Sequence, residues 1–226
     1  MVQSRLRSKD TRLLTLLGPG GTGKTRLSQQ AGLLLTDDFS GGVWFCDLSQ
    51  ARDVDGICAA LAAALGLSIT GRDSVVQLGN ALLGRGPILV ILDNFEQVVS
   101  HAPTTVGAWL LRAPEARFLI SSRERIGIEA EVVQDLEPLP TPTDSQDWAQ
   151  LIQNPGVLLF VERARKVRHD FQLDEHSTQD VAQIVRLLDG LPLAIELAAA
   201  RSRTLRPQAI LERLRDEDGF VKLKVL

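Results

Sequence analysis

The 226-residue sequence contains no tyrosine, and aromatic residues make up only 4% of it. That is too few to build the stacking platforms on which proteins hold unpaired bases. Its two cysteines, Cys46 and Cys58, fall in no CxxC or Cys/His spacing. A zinc site or a disulfide framework therefore has nothing to stand on, and a reducing cytoplasm is the expected setting. An excess of positive charge is also missing: the net charge of −3 argues against a surface built throughout for nucleic acid. The longest apolar run, ICAALAAALGL from Ile57, is shorter than the roughly 20 residues of a membrane-spanning helix. The opening residues, MVQSRLRSKD, are charged and lack a signal-peptide pattern, so neither a membrane segment nor export is expected. There is no internal repeat and no low-complexity tract.

What is present is ordinary for a folded chain, with hydrophobic residues at 44% and charged residues at 23%. The length favours one sizeable core with a smaller appended unit. Leu13 to Leu17 (LLTLL) is a short apolar run ended by Gly18 and Pro19, as a buried strand of a parallel sheet would be. Lys24 to Leu35 then carries apolar residues at helical spacing. A second strand is expected at Val43 to Leu48 (VWFCDL), followed by helices at Asp53 to Leu65 and Asp73 to Leu83, broken by glycines around Gly66 and Gly71. Ile88 to Asn94 (ILVILDN) needs cover on both faces and is the best candidate for a central strand. A helix around Thr104 to Leu111, a strand at Phe118 to Ile120 and a strand from Glu131 (EVVQDL) complete the alternation. Alternating strands and helices predict an α/β fold with a doubly wound parallel sheet.

The composition changes at Glu137 to Asp144 (EPLPTPTD), where three prolines in five residues forbid a helix and favour an extended linker. Beyond it only helices are expected: Gly156 to Val167, Thr178 to Leu188, Leu193 to Leu205, and a short one from Pro207. Ser177 and Asp180 have capping-box-like spacing, and Gly190 stops a helix. The expected domains are 1–138 for the sheet, 139–144 for the linker and 145–226 for a small all-helical unit.

Gly18 to Thr25 reads GPGGTGKT and matches GxxxxGK(S/T), the P-loop pattern. Gly18, Gly20, Gly21 and Gly23 let backbone N–H groups turn inward around phosphate oxygens, and the helix from Lys24 aims its positive end at the same place. Pro19, Thr22 and Arg26 complete the candidate nucleotide-binding set. Lys24 is expected to reach the β- and γ-phosphates and Thr25 to place its hydroxyl on Mg²⁺. The bland alternative is a glycine turn with a chance lysine.

A P-loop also needs a carboxylate for the metal at the end of a neighbouring strand, and Asp93 closes ILVILD in that way. The next position is Asn94. An amide holds a water but cannot take its proton, so general-base catalysis loses its natural candidate and turnover is expected to be slow. Glu96 either substitutes as the base or is an acidic residue in a first helical turn. Arg123 follows ISS at the end of the next strand, on the side expected for nucleotide. It reads as a γ-phosphate sensor, against the alternative of a surface arginine paired with Glu124 or Glu129. Arg163, Arg165, Lys166 and Arg168 share one predicted helix, which reads as a solvated charged face before it reads as a nucleic-acid patch.

The P-loop, LDN at Leu92 to Asn94, SSR at Ser121 to Arg123 and GLPLA from Gly190 occur in this order. Together they resemble the STAND class of signalling ATPases, and within it the NB-ARC-like, AP-ATPase branch. VWFCDL, LDNFEQV, SSRERIGI, LFVERAR and LDGLPLAIELAAARSR are most similar to the ATPase modules of bacterial transcriptional regulators. The resemblance covers nearly all of Leu13 to Leu214. It implies that Pro192 lies against the adenine and couples the helical unit to the nucleotide, and that Arg123 reads the γ-phosphate. Relatives usually carry a hydrophobic-Gly-Arg element before the first strand, which MVQSRLRSKDTR lacks, so adenine selection is less well supported than phosphate binding. Relatives also continue into a winged helix, where this chain offers DEDGFVKLKVL, read as a truncated or divergent tail.

The expected function is an ATP- or ADP-binding switch with Mg²⁺ and slow hydrolysis. Its expected partner is a protein or a second copy met in the triphosphate state, without direct nucleic-acid binding by this chain. The alternatives are a non-hydrolysing nucleotide-binding scaffold and an AAA-type DNA-handling ATPase.

Overall fold

The computed structural model describes residues 1–69, 73–143 and 146–215. Gly71, the linker end at Asp144 and the tail from 216 to 226 lie outside them. Contacts divide the chain into two compact units, one of Met1–Gly20 with Lys24–Leu136, the other of Gly21–Gly23 with the chain from Glu137 onward.

The first unit is built on five parallel strands: β1 (Leu13–Leu17), β2 (Val43–Asp47), β3 (Ile88–Asp93), β4 (Ala116–Ser122) and β5 (Glu131–Asp135), in the order β2-β3-β4-β1-β5. Every residue of β3 is buried, as its unbroken apolar run requires. Because side chains alternate along a strand, the central strands feed two separate cores. Leu13, Val90, Leu92, Phe118 and Ile120 pack on one face with α3 (Val54–Leu65), α4 (Ser74–Gly84) and α5 (Ala108–Arg112). Leu14, Leu16, Leu89, Ile91 and Leu119 pack on the other with α1 (Val2–Arg7) and α2 (Lys24–Leu34). This is the doubly wound α/β sheet expected from the strand and helix alternation.

Two differences from the sequence reading have simple causes. The charged opening stretch forms α1, whose spacing buries Val2 and Leu6 on one side and leaves its arginines outward. The helix near Thr104 begins as one wide turn over Pro103–Gly107 before α5 takes normal geometry. Trp109 in α5 is fully buried, and its indole N–H donates to Val75 O at 3.0 Å, so the large ring carries no unmet polar group.

The second unit contains α6 (Trp148–Leu151), α7 (Pro155–Val167), α8 (Glu175–Leu187), α9 (Pro192–Ala200) and α10 (Pro207–Leu214) around its own core of Val157, Phe160, Val181, Val185, Ile195 and Leu211. The cap of α8 is Asp174, not Ser177. Asp174 accepts from the Ser177 N–H at 2.8 Å, and the Ser177 hydroxyl accepts from the Asp174 N–H at 2.9 Å. A carboxylate is the better acceptor at the positive end of a helix, so the box closes one turn earlier. The basic run on α7 is largely engaged: Arg163 meets Glu196 at 3.0 Å and Lys166 meets Glu162 at 3.2 Å.

Gly190 has φ +66°, and a Cβ there would stand 2.0 Å from Leu139 O. Gly66, which ends α3, has nearly the same φ of +67° but open space around it. Gly66→Ala isolates the backbone cost, about 1 kcal/mol. Gly190→Ala adds the collision with the Leu139 carbonyl, whose own N–H donates to Gly190 O at 2.9 Å. It is expected to cost about 3 kcal/mol and lower the melting temperature by about 5–10 °C, roughly three times the effect of Gly66→Ala in thermal unfolding.

Candidate functional site

In a parallel sheet all strands end on the same side, so the last residues of β1, β2, β3 and β4 meet there. β1 runs out into the glycine loop, and α2 begins at Lys24. Asp47 and Asp93 close β2 and β3 in register with one another. Ser121 and Ser122 close β4, and the Gly18 N–H donates to Ser122 O at 3.3 Å.

Asp93 is 2% exposed and is held by neutral donors. The Thr25 hydroxyl stands 2.8 and 3.0 Å from its two oxygens, Asn94 Nδ2 donates to it at 3.3 Å, and the Ser121 hydroxyl donates to Oδ1. A buried carboxylate without such donors would be strongly disfavoured. Lys24 is 9% exposed and folds back on the loop, its Nζ donating to Gly18 O at 2.7 Å and Pro19 O at 2.8 Å. Burial pulls the Lys24 pKa below its usual value. The Glu96 carboxylate opposes that shift, Arg123 adds to it, and Asp93 opposes it.

Asn94 adopts the left-handed conformation, φ 61° and ψ 40°, which asparagine tolerates better than most residues. That turn sends its amide back between two acids, donating to Asp47 Oδ1 at 2.9 Å as well as to Asp93, while its own N–H reaches the Ser121 hydroxyl at 3.2 Å. These bonds pull the Asp47 carboxyl below the usual carboxylate range, the Asn94 amide contributing most and the Ser49 N–H next.

Arg123 pairs with neither Glu124 nor Glu129. Its Nε meets Glu96 Oε1 at 3.1 Å, and its guanidinium lies so close to the loop that a Cβ on Gly20 would stand 3.4 Å from Nη2. Glu96 sits in a single 3-10 turn, Phe95–Gln97, with its second oxygen enclosed and unpartnered. In the other unit, Pro192 occupies the first turn of α9, and the Leu193 N–H donates to Gly21 O at 3.1 Å.

The arrangement thus brings Lys24, Thr25, Asp93, Asn94 and Arg123 to one end of the sheet. It adds Asp47 and Ser121, which the sequence reading did not single out, and gives Glu96 a defined partner. The donor set fits a magnesium nucleotide: a hydroxyl and a carboxylate in contact for a hard cation, a lysine and an arginine beside a glycine loop with positive φ at Gly21 and Gly23 for phosphates. Among the described residues no group of three or more His, Cys, Asp or Glu is arranged to hold a metal by itself, so a cation here would need phosphate or water oxygens to complete its shell. No helix among the described residues is long and apolar enough to cross a membrane.

The AAA domain family, AAA_22, matches residues 6–125, more than half of the chain. An uncharacterized protein of Mycobacterium tuberculosis is 36% identical over 212 residues, covering 94% of this chain and 51% of its own length. A provisionally named HTH-type transcriptional regulator of the same organism is 34% identical over 205 residues, covering 91% of this chain and 22% of its own. The chain therefore spans about half the length of the first relative and under a quarter of the second. Among solved structures, the Walker-type ATPase of Pyrococcus abyssi superposes with a TM-score of 0.58 at 13% identity, over 94% of this chain and 68% of that one. At that identity the superposition speaks for the fold, in agreement with the sheet order and the loop. The chain belongs to the AAA_22 family of AAA domains and is a nucleotide-binding P-loop ATPase module.

Proposed function

We propose that this module is a nucleotide-state switch with slow hydrolysis, of the STAND class and its NB-ARC-like branch, working within a longer transcriptional or signalling regulator. The likeness to the HTH-type regulator supports the setting. The observation that carries the switch reading is the Asn94 position: where a fast ATPase needs an acid, an amide is locked between Asp47 and Asp93.

In this reading Gly18 to Thr25 and Arg26 bind ATP or ADP, Lys24 leaves its two carbonyls for the β- and γ-phosphates, and Thr25 and Asp93 hold Mg²⁺. The cation supplies neutralisation of phosphate charge. Asn94 orients water without accepting its proton. Arg123 reads the terminal phosphate, and its present partner makes that exchange cheap: the Arg123 side chain is 66% exposed, so its pair with Glu96 contributes about 1 kcal/mol at most. Pro192 contacts the base, and the division at 1–138, 139–144 and 145–226 separates the nucleotide-binding part, linker and helical reader. A protein partner or a second copy is engaged in the triphosphate state in the cytoplasm.

The test is to denature the purified protein, identify any released nucleotide, and follow one turnover of ATP in the stripped protein. Slow conversion to retained ADP is the expected result. ATP unchanged over hours would favour the non-hydrolysing scaffold, which the Asn94 amide also permits. Strong stimulation by DNA would favour a DNA-handling ATPase, and a protein that binds no nucleotide would sink all three.

A further inference from the structure

A cavity of about 500 Å³ opens at the end of the sheet where the strands begin, opposite the Lys24–Asp93 cluster. Arg12 and Pro87 on its wall immediately precede β1 and β3, and Pro114 stands just before β4. The size falls within the roughly 300–1,000 Å³ typical of sites for small organic ligands.

Its charge is lopsided. Arg7 and Asp38 cancel one another, with the Arg7 Nε and Nη2 on the Asp38 carboxylate at 3.1 and 2.9 Å. That leaves Lys9, Arg12 and Arg117 against the Glu115 carboxylate, in a chain whose net charge is −3. Neither Arg12 nor Arg117 forms an ion pair with a carboxylate among the described residues. Arg12 Nη2 donates to Leu110 O at 2.6 Å and Ala113 O at 2.8 Å, and its Nε is enclosed without an acceptor. Arg117 Nη1 donates to Leu6 O and to Ser8 O at 2.7 Å, and its guanidinium lies 5.9 Å from the centre of the Phe39 ring. Burial lowers the Arg12 pKa, and the charge of Arg117 lowers it further, so the two cations oppose each other.

Guanidiniums tethered by backbone carbonyls are fixed in position while their charge stays uncompensated, and each keeps N–H donors for a further acceptor. Such a pair suits the oxygens of a phosphate or carboxylate, whose binding would relieve the repulsion. Leu6, Phe39 and the two prolines supply an apolar wall for the rest of a ligand. We propose that this cavity is a second ligand site, separate from the nucleotide site, for a small organic oxyanion: a phosphate monoester or a carboxylate carried on an aromatic or apolar body.

The test is calorimetric titration of phenyl phosphate, phthalate and inorganic phosphate into the full chain saturated with Mg·ADP, and into Lys24→Ala. Both backgrounds keep the probes off the glycine loop, and the second does so even if ADP does not bind. Phenyl phosphate or phthalate is expected to bind with a dissociation constant of about 1 mM or tighter in both, the tighter of the two identifying the head group. Lys9→Glu and Arg12→Gln are each expected to weaken it at least about tenfold. Lys9 is exposed, so its charge reversal leaves the fold intact even if Arg12→Gln, which frees two carbonyls, does not. The proposal is overturned by no binding at about 10 mM probe. It is equally overturned by inorganic phosphate binding as tightly as phenyl phosphate, or by binding that Lys9→Glu leaves unchanged.

Discussion

Lys24→Ala is expected to weaken ADP and ATP binding on the order of a hundredfold while moving the melting temperature of the nucleotide-free protein by no more than about 4 °C. The two effects separate because the lysine does different things in the two states. Without nucleotide its ammonium is buried against two carbonyls of its own loop, and burial already lowers its pKa. Deleting it leaves those carbonyls short of a donor but also removes a charge that was costly to bury, so the net change in stability is about 1 kcal/mol. With nucleotide, the ammonium would form charge-assisted bonds to phosphate oxygens, each worth about 1.5–3 kcal/mol. Calorimetry with ADP and thermal unfolding without it would check both halves. An unchanged affinity would mean that the glycine loop is not the phosphate site. A collapse of the nucleotide-free fold would mean that Lys24 is a structural residue.

The parts of this site visible in the sequence were those fixed by local rules. GPGGTGKT follows a strand and precedes a helix, so Lys24 and Thr25 are placed by chain geometry alone. Asp93 was legible because an unbroken buried strand must end somewhere, and its first polar residue is left at the sheet end. Asp47 ends VWFCD in the same fashion. It escaped notice because its importance comes from register, which pairs Asp47 with Asp93 and which no single stretch of sequence records. Ser121 was quoted only as part of the approach to Arg123, although alternation along β4 turns its hydroxyl toward Asp93. The Arg123 partner was missed for a related reason: near neighbours such as Glu124 look available in sequence, whereas Glu96 is brought close only by the adjacent strand end. The α8 cap was misplaced by three residues because two acids, Asp174 and Asp180, flank Ser177, and the choice depended on where the backbone became helical.

Asn94→Asp is expected to raise the single-turnover rate of ATP hydrolysis on the order of a hundredfold and, in the absence of nucleotide and magnesium, to lower stability at neutral pH. General-base assistance is typically worth 10²–10⁴ in rate, and an aspartate keeps the short side chain that tolerates the left-handed turn at this position. The cost comes from the neighbours. The native amide donates to both Asp47 and Asp93, so an acid here loses those bonds and sets three carboxylates together. In the native protein the Asn94 amide depresses the Asp47 pKa, and a depressed carboxyl contributes stability above its unfolded pKa that is lost as pH falls through the folded value. The variant loses that contribution, and repulsion raises its carboxyl pKa values instead. Its deficit relative to the native protein is therefore largest at pH 7 and shrinks toward pH 4, as the carboxyls take up protons in both proteins. Because Asp47 is exposed, the deficit at pH 7 is expected to be about 1 kcal/mol, or a melting shift of about 2–4 °C. Asn94→Ala serves as the control that removes the amide without adding a base, and its turnover is expected not to rise. Unfolding curves at the two pH values and single-turnover rates for the three proteins would decide it. A rate in Asn94→Asp equal to that of the native protein would mean that proton removal from water is not what makes this module slow.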